Sequence, residues 1–113
     1  MVYTRSAEPG VIILGSGNVV HNLYRTNWAI EEAGEDWARE FDEYIKESIL
    51  NHKYEKVINY SRAGASAELA VPAMDHFAPL LYVLGASKKE ERARVFNDSC
   101  VLSSLSMTSY LFD

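Results

Sequence analysis

Residues 10–23 have the sequence GVIILGSGNVVHNL, and this stretch decides the fold of the chain. The run Val11–Leu14 is apolar, mostly β-branched and bounded by glycines. Such a run is typical of a strand that is covered on both faces of a sheet. We expect Gly15 and Gly17 to permit a sharp turn at the end of this strand. Ligand sites of open α/β sheets lie beyond the carboxyl ends of strands, so His21 is a candidate site residue.

The same stretch allows two other interpretations. Gly15-Ser16-Gly17 resembles the start of the dinucleotide-binding fingerprint, whose third glycine would fall at position 20. The chain has Val20 there, and a branched side chain obstructs the close packing of helix on strand that this glycine permits. A small nucleotide-binding module therefore stays open as an alternative function. A lone histidine near a strand is also often a hydrogen-bonded structural residue, so this segment alone does not define a site.

Two further stretches support a family resemblance. Residues 72–86 have the sequence PAMDHFAPLLYVLGA, and residues 104–107 have the sequence SLSM. Together with SGNVVHNL at 16–23, in this order and spacing, they resemble the C-terminal half of the class III extradiol ring-cleaving dioxygenases. The branch concerned is the LigB-like one that includes DOPA 4,5-dioxygenase. This resemblance implies an α/β fold in which an incomplete mixed or parallel sheet is flanked by helices.

The resemblance also implies a site. Members of this family hold a non-haem metal, Fe(II) or Zn(II), mainly through histidines, and cleave a catechol-type ring with dioxygen. By position, His76 is expected to be a metal ligand, and His21 is expected to act beside the metal as an acid/base catalyst or as an additional ligand. Neutral imidazole suits both roles because it binds first-row metals and titrates near neutral pH. Substrate-binding residues are not identified by the resemblance.

The chain has only three histidines, His21, His52 and His76. We expect His52 to be exposed, because it lies in a polar stretch between two helical patterns. Two candidate ligands do not complete the coordination of a metal, and the family takes further ligands from an N-terminal half. We therefore expect a fragment or a split subunit of a dioxygenase, inactive alone and completed by a second chain. The alternative is a truncated, non-catalytic remnant that folds by self-association.

Periodicity predicts the remaining elements. Apolar residues at helical spacing indicate a helix over 36–51, with Asp42 on its polar side and paired with Lys46 one turn later. Further along the chain, we expect a short helix around 54–58, a helix over 72–84, a charged helix over 87–95 and strands within 100–111. Pro79 should either kink the helix over 72–84 or move its start to Ala78. In the last strand, apolar side chains alternate with the hydroxyls of Ser104, Ser106 and Thr108, which predicts that the end of the chain returns to the sheet.

Composition limits the function classes. The 113 residues are expected to form a single domain, 1–113, and 48% hydrophobic with 24% charged residues is typical of a globular protein. A net charge of −5 disfavours nucleic acid as a partner. No apolar run is long enough for a bilayer and residues 1–10 lack an export signal, so we expect a cytoplasmic protein without membrane association. Cys100 is expected to be a small core residue. Because a sheet of so few strands is marginal by itself, we also expect a homo- or hetero-oligomer.

Overall fold

The computed structural model describes residues 2–5 and 10–113, which contain six strands and four α-helices. In chain order these are β1 (Val2–Arg5), β2 (Ile12–Gly15), α1 (Asp36–Leu50), α2 (Tyr54–Ile58), α3 (Ala65–Ala70), α4 (Ala78–Ala86), β3 (Ala93–Phe96), β4 (Cys100–Val101), β5 (Leu105–Ser106) and β6 (Ser109–Phe112). Single 3₁₀ turns cover Leu23–Arg25 and Tyr60–Ala63. No helix in this described part of the chain is long and apolar enough to cross a bilayer.

Four strands form a mixed sheet in the order β2-β1-β6-β3. Strand β1 runs antiparallel to β2 and parallel to β6, and β3 runs antiparallel to β6. Strands β4 and β5 form a separate antiparallel pair. A mixed sheet flanked by helices is the α/β fold that the sequence predicts. The sequence also indicates, more weakly, a strand over residues 1–3; β1 covers residues 2 and 3 of this range, while Met1 lies outside the described residues.

The strand register assigns each side chain to a face. Leu14 and Leu111 are both aligned with residue 3 of β1, so they lie on the same face of the sheet. Ile12, two residues before Leu14, lies on this face too, and we call it the outer face. On the opposite, inner face, Tyr110 and Phe112 are fully buried. Helix α4 packs against β1 and β2 on the inner face, where a Cβ added to Gly15 would lie 3.0 Å from the Pro79 carbonyl oxygen. The core therefore lies between the inner face and the helices.

The exposure of strand β2 differs from the prediction. We expected it to be covered on both faces, but Ile12 is 67% exposed and Leu14 is 60% exposed. The strand lies at the edge of the sheet, and helices α1 and α4 both pack on the inner side. Within the described residues the sheet is thus covered on one face only, which agrees with the prediction of an incomplete sheet.

The helices follow the sequence pattern in part. Helix α1 has the predicted span to within one residue, and α4 begins at Ala78 because Pro79 is favoured in a first helical turn. Helix α3 was not predicted. The charged helix expected over 87–95 is wrong, because residues 93–96 form β3 and pair with β6 instead. Strand pairing has overridden the local capping signal there.

In the carboxyl-terminal segment the hydroxyl side chains face the core. The side chains of Ser104, Ser106 and Thr108 are buried, at 0%, 0% and 2% exposure, whereas Met107 is 46% exposed. Buried hydroxyl groups need hydrogen-bond partners, and each of these three has one.

Candidate functional site

The structure brings His21 and His76 together, although they are far apart in the sequence. Their ring centroids are 3.5 Å apart and the ring planes differ by 10°, so the two imidazoles are stacked face to face. His21 is half-buried and His76 is exposed. The two residues singled out by the family resemblance thus share one location at the surface.

Backbone contacts on two sides hold His21. Its amide donates a hydrogen bond of 3.0 Å to the carbonyl of Ala70 at the end of α3. On the other side, His21 forms an isolated antiparallel bridge with Leu105 of β5. The neighbouring carbonyl of Val20 accepts a hydrogen bond of 3.0 Å from the Ser106 amide. The segment that carries His21 is therefore wedged between α3 and β5, and its backbone position is fixed.

His76 lies two residues before α4, in a turn, and not within the helix that the sequence predicts over 72–84. Its carbonyl oxygen accepts a hydrogen bond of 2.8 Å from the amide of Asn18. Gly17 approaches the same carbonyl so closely that a Cβ atom there would overlap it. Residues 17 and 18 thus fix the backbone of His76 from the loop that leads to His21.

The glycines of this loop serve packing. Neither Gly15 nor Gly17 has a positive φ angle, so the prediction that they supply an unusual turn conformation is wrong. Both are instead packed so tightly against the segment around Pro79 that a side chain would not fit. Val20, which stands at the place of the third fingerprint glycine, is fully buried in the core. The chain itself occupies the space that these glycines leave free, and no feature of the loop favours a bound nucleotide.

The protonation state of His21 follows from its surroundings. Burial lowers the pKa of His21 below its usual 6.5, and the neighbouring His76 lowers it further, while a backbone hydrogen bond and Asp75 act in the opposite direction. Because the pKa is lowered, the His21 ring is neutral at pH 7. A neutral imidazole offers one nitrogen lone pair to a proton or to a metal ion.

Asp42 is the residue that sequence reasoning missed. The side chain is only 4% exposed, and its carboxylate accepts hydrogen bonds from Ser106 Oγ at 2.5 Å and from Thr108 Oγ1 at 2.6 Å. Burial raises its pKa. The expected exposed pair with Lys46 is wrong, since Lys46 Nζ contacts Glu43 at 2.5 Å and Asp98 at 2.7 Å.

A signal for Asp42 was present in the sequence. Position 42 follows Ala38 by four residues and precedes Ile45 by three, so it belongs to the buried stripe of α1. An acidic residue on the apolar stripe of a helix requires a polar partner in the core, and the hydroxyl-rich carboxyl-terminal segment supplies it.

His52 lies apart from the pair. It is exposed, as predicted, and it contributes to a separate cavity of about 450 Å³ that also includes Tyr54 and Lys88.

The cavity next to His76 has a volume of only about 10 Å³, enough for one water molecule.

The pair has the right donor atoms for a non-haem metal but too few of them. Among residues 2–5 and 10–113, no group of three or more His, Cys, Asp or Glu side chains could hold a metal ion. The stacking is a further restriction. A ligating nitrogen directs its lone pair within the plane of its ring, and two parallel planes 3.5 Å apart do not meet at one ion. In this arrangement one ring can ligate while the other lies beside the metal.

Cys100 is half-buried and packs closely against Gly34. Burial raises the pKa of its thiol to about 11, and the nearby Asp42 and Asp98 act in the same direction. A thiol with so high a pKa is a poor nucleophile and a poor metal ligand at neutral pH. Cys100 therefore adds nothing to the histidine site.

Comparisons with known proteins identify one family for this chain. Residues 3–113 match the family described as the catalytic LigB subunit of aromatic ring-opening dioxygenase. The chain is 34% identical over 106 residues to a 4,5-DOPA dioxygenase extradiol of Escherichia coli K12, and 34% identical over 105 residues to one of Portulaca grandiflora. These matches include 90% and 91% of this chain but 38% of each relative.

A crystal structure of an uncharacterised protein from Escherichia coli K12 superposes with a TM-score of 0.75 at 35% identity. The match includes 84% of this chain and 40% of that one. The chain thus spans about two fifths of the length of the relatives it matches. Since the family match extends over nearly all of its residues, the chain belongs to the LigB family of aromatic ring-opening dioxygenases.

Proposed function

We propose that this chain supplies part of the active site of an extradiol dioxygenase that opens a catechol-type ring with O2 at a non-haem metal. The observation that carries the proposal is the stacked pair of His21 and His76, formed from two distant segments in a chain of the LigB family. Both imidazoles are chemically suited to the reaction.

Different roles for the two histidines follow from their surroundings. We assign metal binding first to His76, because its exposed ring can turn toward an ion that other ligands also hold. His21 is neutral at pH 7 and its backbone is fixed, so it is suited to accept a phenolic proton as a general base. It becomes a second ligand if one of the rings rotates out of the stack. Chemistry with dioxygen is what a bound Fe(II), or another metal in its place, supplies.

The substrate class comes from the relatives. Several of them are named 4,5-DOPA dioxygenase extradiol, so a catechol that carries an amino-acid side chain is the first compound to test. Other catechols are the next candidates. The open surface at His76 leaves the size of the substrate unrestricted by this chain alone.

A second chain completes the site in this proposal. The described residues offer two imidazoles where a stable metal site needs more ligands, and the outer face exposes Ile12 and Leu14. Polypeptide that covers this face could also bring the missing ligands. We therefore expect activity from a hetero-oligomer and none from the chain by itself.

The experiment is complementation. The chain is co-expressed with the part of the Escherichia coli 4,5-DOPA dioxygenase extradiol that lies outside the matched region, and the purified complex is loaded anaerobically with Fe(II). Supply of L-DOPA and oxygen should give O2 uptake and a yellow ring-cleavage product. A complex that forms but retains no iron and consumes no oxygen contradicts the proposal.

Variants separate the roles of the histidines. His76→Ala should abolish metal retention, whereas His21→Ala should reduce turnover more than metal content. His52→Ala is the matched control and should leave both unchanged. Equal loss of metal in the first two variants makes His21 a ligand and refutes its role as a base alone.

A second candidate is a non-catalytic remnant that folds by self-association. It is favoured by the apolar outer face at the edge strand β2, a surface on which two copies of the chain could pair. A stable homo-oligomer that binds neither metal nor catechol would establish this alternative, and light scattering with metal analysis on the isolated chain measures it.

A further inference from the structure

We propose that Asp42 is a positioning residue that sets the geometry of the His21–His76 pair through the carboxyl-terminal segment Leu105–Thr108. The inference concerns the arrangement of the two rings. It rests on the proposed function only for its catalytic meaning, and its test needs neither metal nor substrate.

The first link joins α1 to this segment. Both carboxylate oxygens of Asp42 are used: Oδ1 accepts from Ser106 Oγ at 2.5 Å and Oδ2 accepts from Thr108 Oγ1 at 2.6 Å. All three side chains are at least 96% buried. Hydrogen bonds to a buried carboxylate are strong because the charge is poorly solvated otherwise. The segment is thus tied to the helix at two points.

The second link joins the same segment to both histidines. The backbone of Ser106 donates to the Val20 carbonyl at 3.0 Å and accepts from Asn18 Nδ2 at 2.8 Å, while Leu105 pairs with His21. The amide of Asn18 in turn donates to the carbonyl of His76 at 2.8 Å. One short segment therefore contacts the loop of His21 directly and reaches His76 through Asn18.

Stability alone does not explain a carboxylate at this position. Asp42 lies on the apolar stripe of α1, where a leucine would avoid the cost of burying a charge. Its specific contribution is to supply acceptors at a fixed place to two hydroxyl groups. Without it, both hydroxyls lose their nearest acceptor, and the segment loses its direct hydrogen bonds to α1; a longer contact of Thr108 Oγ1 with Asp98, at 3.5 Å, remains.

NMR of the histidine ring protons in the metal-free chain tests the inference. The wild type should show NOE cross-peaks between the His21 and His76 rings and strong ring-current shifts. Asp42→Leu should lose the cross-peaks and move both histidines toward ordinary shifts. Asp42→Asn should retain them, because the amide can still bond to both hydroxyls, each of which can donate or accept.

A control variant separates positioning from loss of stability. Ile45→Ala removes a fully buried side chain of the same helix and should lower the melting temperature, yet keep the cross-peaks between the rings. Cross-peaks that persist in folded Asp42→Leu overturn the proposal, and so does their equal loss in Ile45→Ala.

Smaller changes keep the test informative if Asp42→Leu does not fold. Ser106→Ala and Thr108→Val each remove one of the two hydroxyl donors and should each weaken the cross-peaks, with a larger loss when combined. Unchanged cross-peaks in the folded double variant refute the role of Asp42. Because the readout is ring geometry, a chain without dioxygenase activity can still confirm or refute this inference.

Discussion

The carbonyl group of His76 occupies the space that a β-carbon on Gly17 would need. Gly17→Ala should therefore push the turn of His76 away from the His21 loop. We expect a loss of about 1–3 kcal/mol in the free energy of unfolding, because neither backbone segment can move freely. Urea denaturation measures this change, and the loss of ring-current shifts at His76 reports the displacement.

Gly85 provides the matched control. A Cβ atom there would meet nothing within 4 Å, and the residue lies in the last turn of α4. Gly85→Ala should leave the histidine pair unchanged and stabilise the fold by up to about 1 kcal/mol. A Gly17→Ala variant as stable as wild type would contradict the close approach of the two segments.

Acidification should lower the free energy of unfolding, because His21 takes up a proton more readily in the unfolded chain than in the folded one. The unfolded chain takes up this proton near pH 6.5, whereas the folded chain does so only at lower pH, because burial and His76 lower the pKa of His21. The free energy of unfolding therefore falls as the pH decreases from about 6.5 through the folded pKa, and this group has no effect well above 6.5. Denaturation curves at several pH values, compared with His21→Asn, isolate the effect. A His21 ring that titrates above 6.5 by NMR would show that the assigned cause is wrong.

Cys100 should resist alkylation. Its thiol has a pKa of about 11 in the folded chain, against an ordinary value of 9.0. At pH 8 the thiolate fraction is then roughly a hundred times smaller than in the unfolded chain, and since a thiolate of higher pKa is more nucleophilic, reaction with iodoacetamide should be slower by about 10- to 100-fold. Rates with and without urea give the comparison. Equal rates would mean that the thiol is neither buried nor held neutral.

The outer face should limit the solubility of the isolated chain. Ile12→Lys combined with Leu14→Lys should suppress self-association while changing the free energy of unfolding by less than about 0.5 kcal/mol, since both side chains are largely exposed. Light scattering at increasing concentration measures this effect. Ile58→Lys, which alters a side chain of 64% exposure on α2, is the control and should associate as the wild type does. Identical behaviour of the two variants would exclude the outer face as the contact.

Much of the architecture could be predicted from local patterns. The stripe of α1 and the delayed start of α4 at Pro79 are properties of single segments, and periodicity or proline chemistry specifies them. The pairing of β3 with β6 could not be predicted in this way, because residues 87–95 also carry a capping signal. A choice between helix and strand there depends on a partner strand distant in the sequence.

The site, too, could be predicted from the sequence only in part. Histidines 21 and 76 were identified through the family resemblance and lie together, but nothing in their own segments specifies a parallel stack. The role of Asp42 was missed for a related reason. Alternation in the carboxyl-terminal segment indicates which side chains share a face, but not that the hydroxyl side faces the core. That choice depends on an acceptor in another helix.

Of the two stacked histidines, His76 is exposed and His21 is half-buried, so solvent has easier access to His76. The ring of His21 has the His76 ring against one face, and its backbone is held by contacts with Ala70 and Leu105. His76 and the turn before it, residues 72–75, are therefore more accessible to a molecule from solvent than His21 is. Selectivity for incoming compounds should therefore be altered most readily by exchanging residues of that turn, with the inner imidazole left intact.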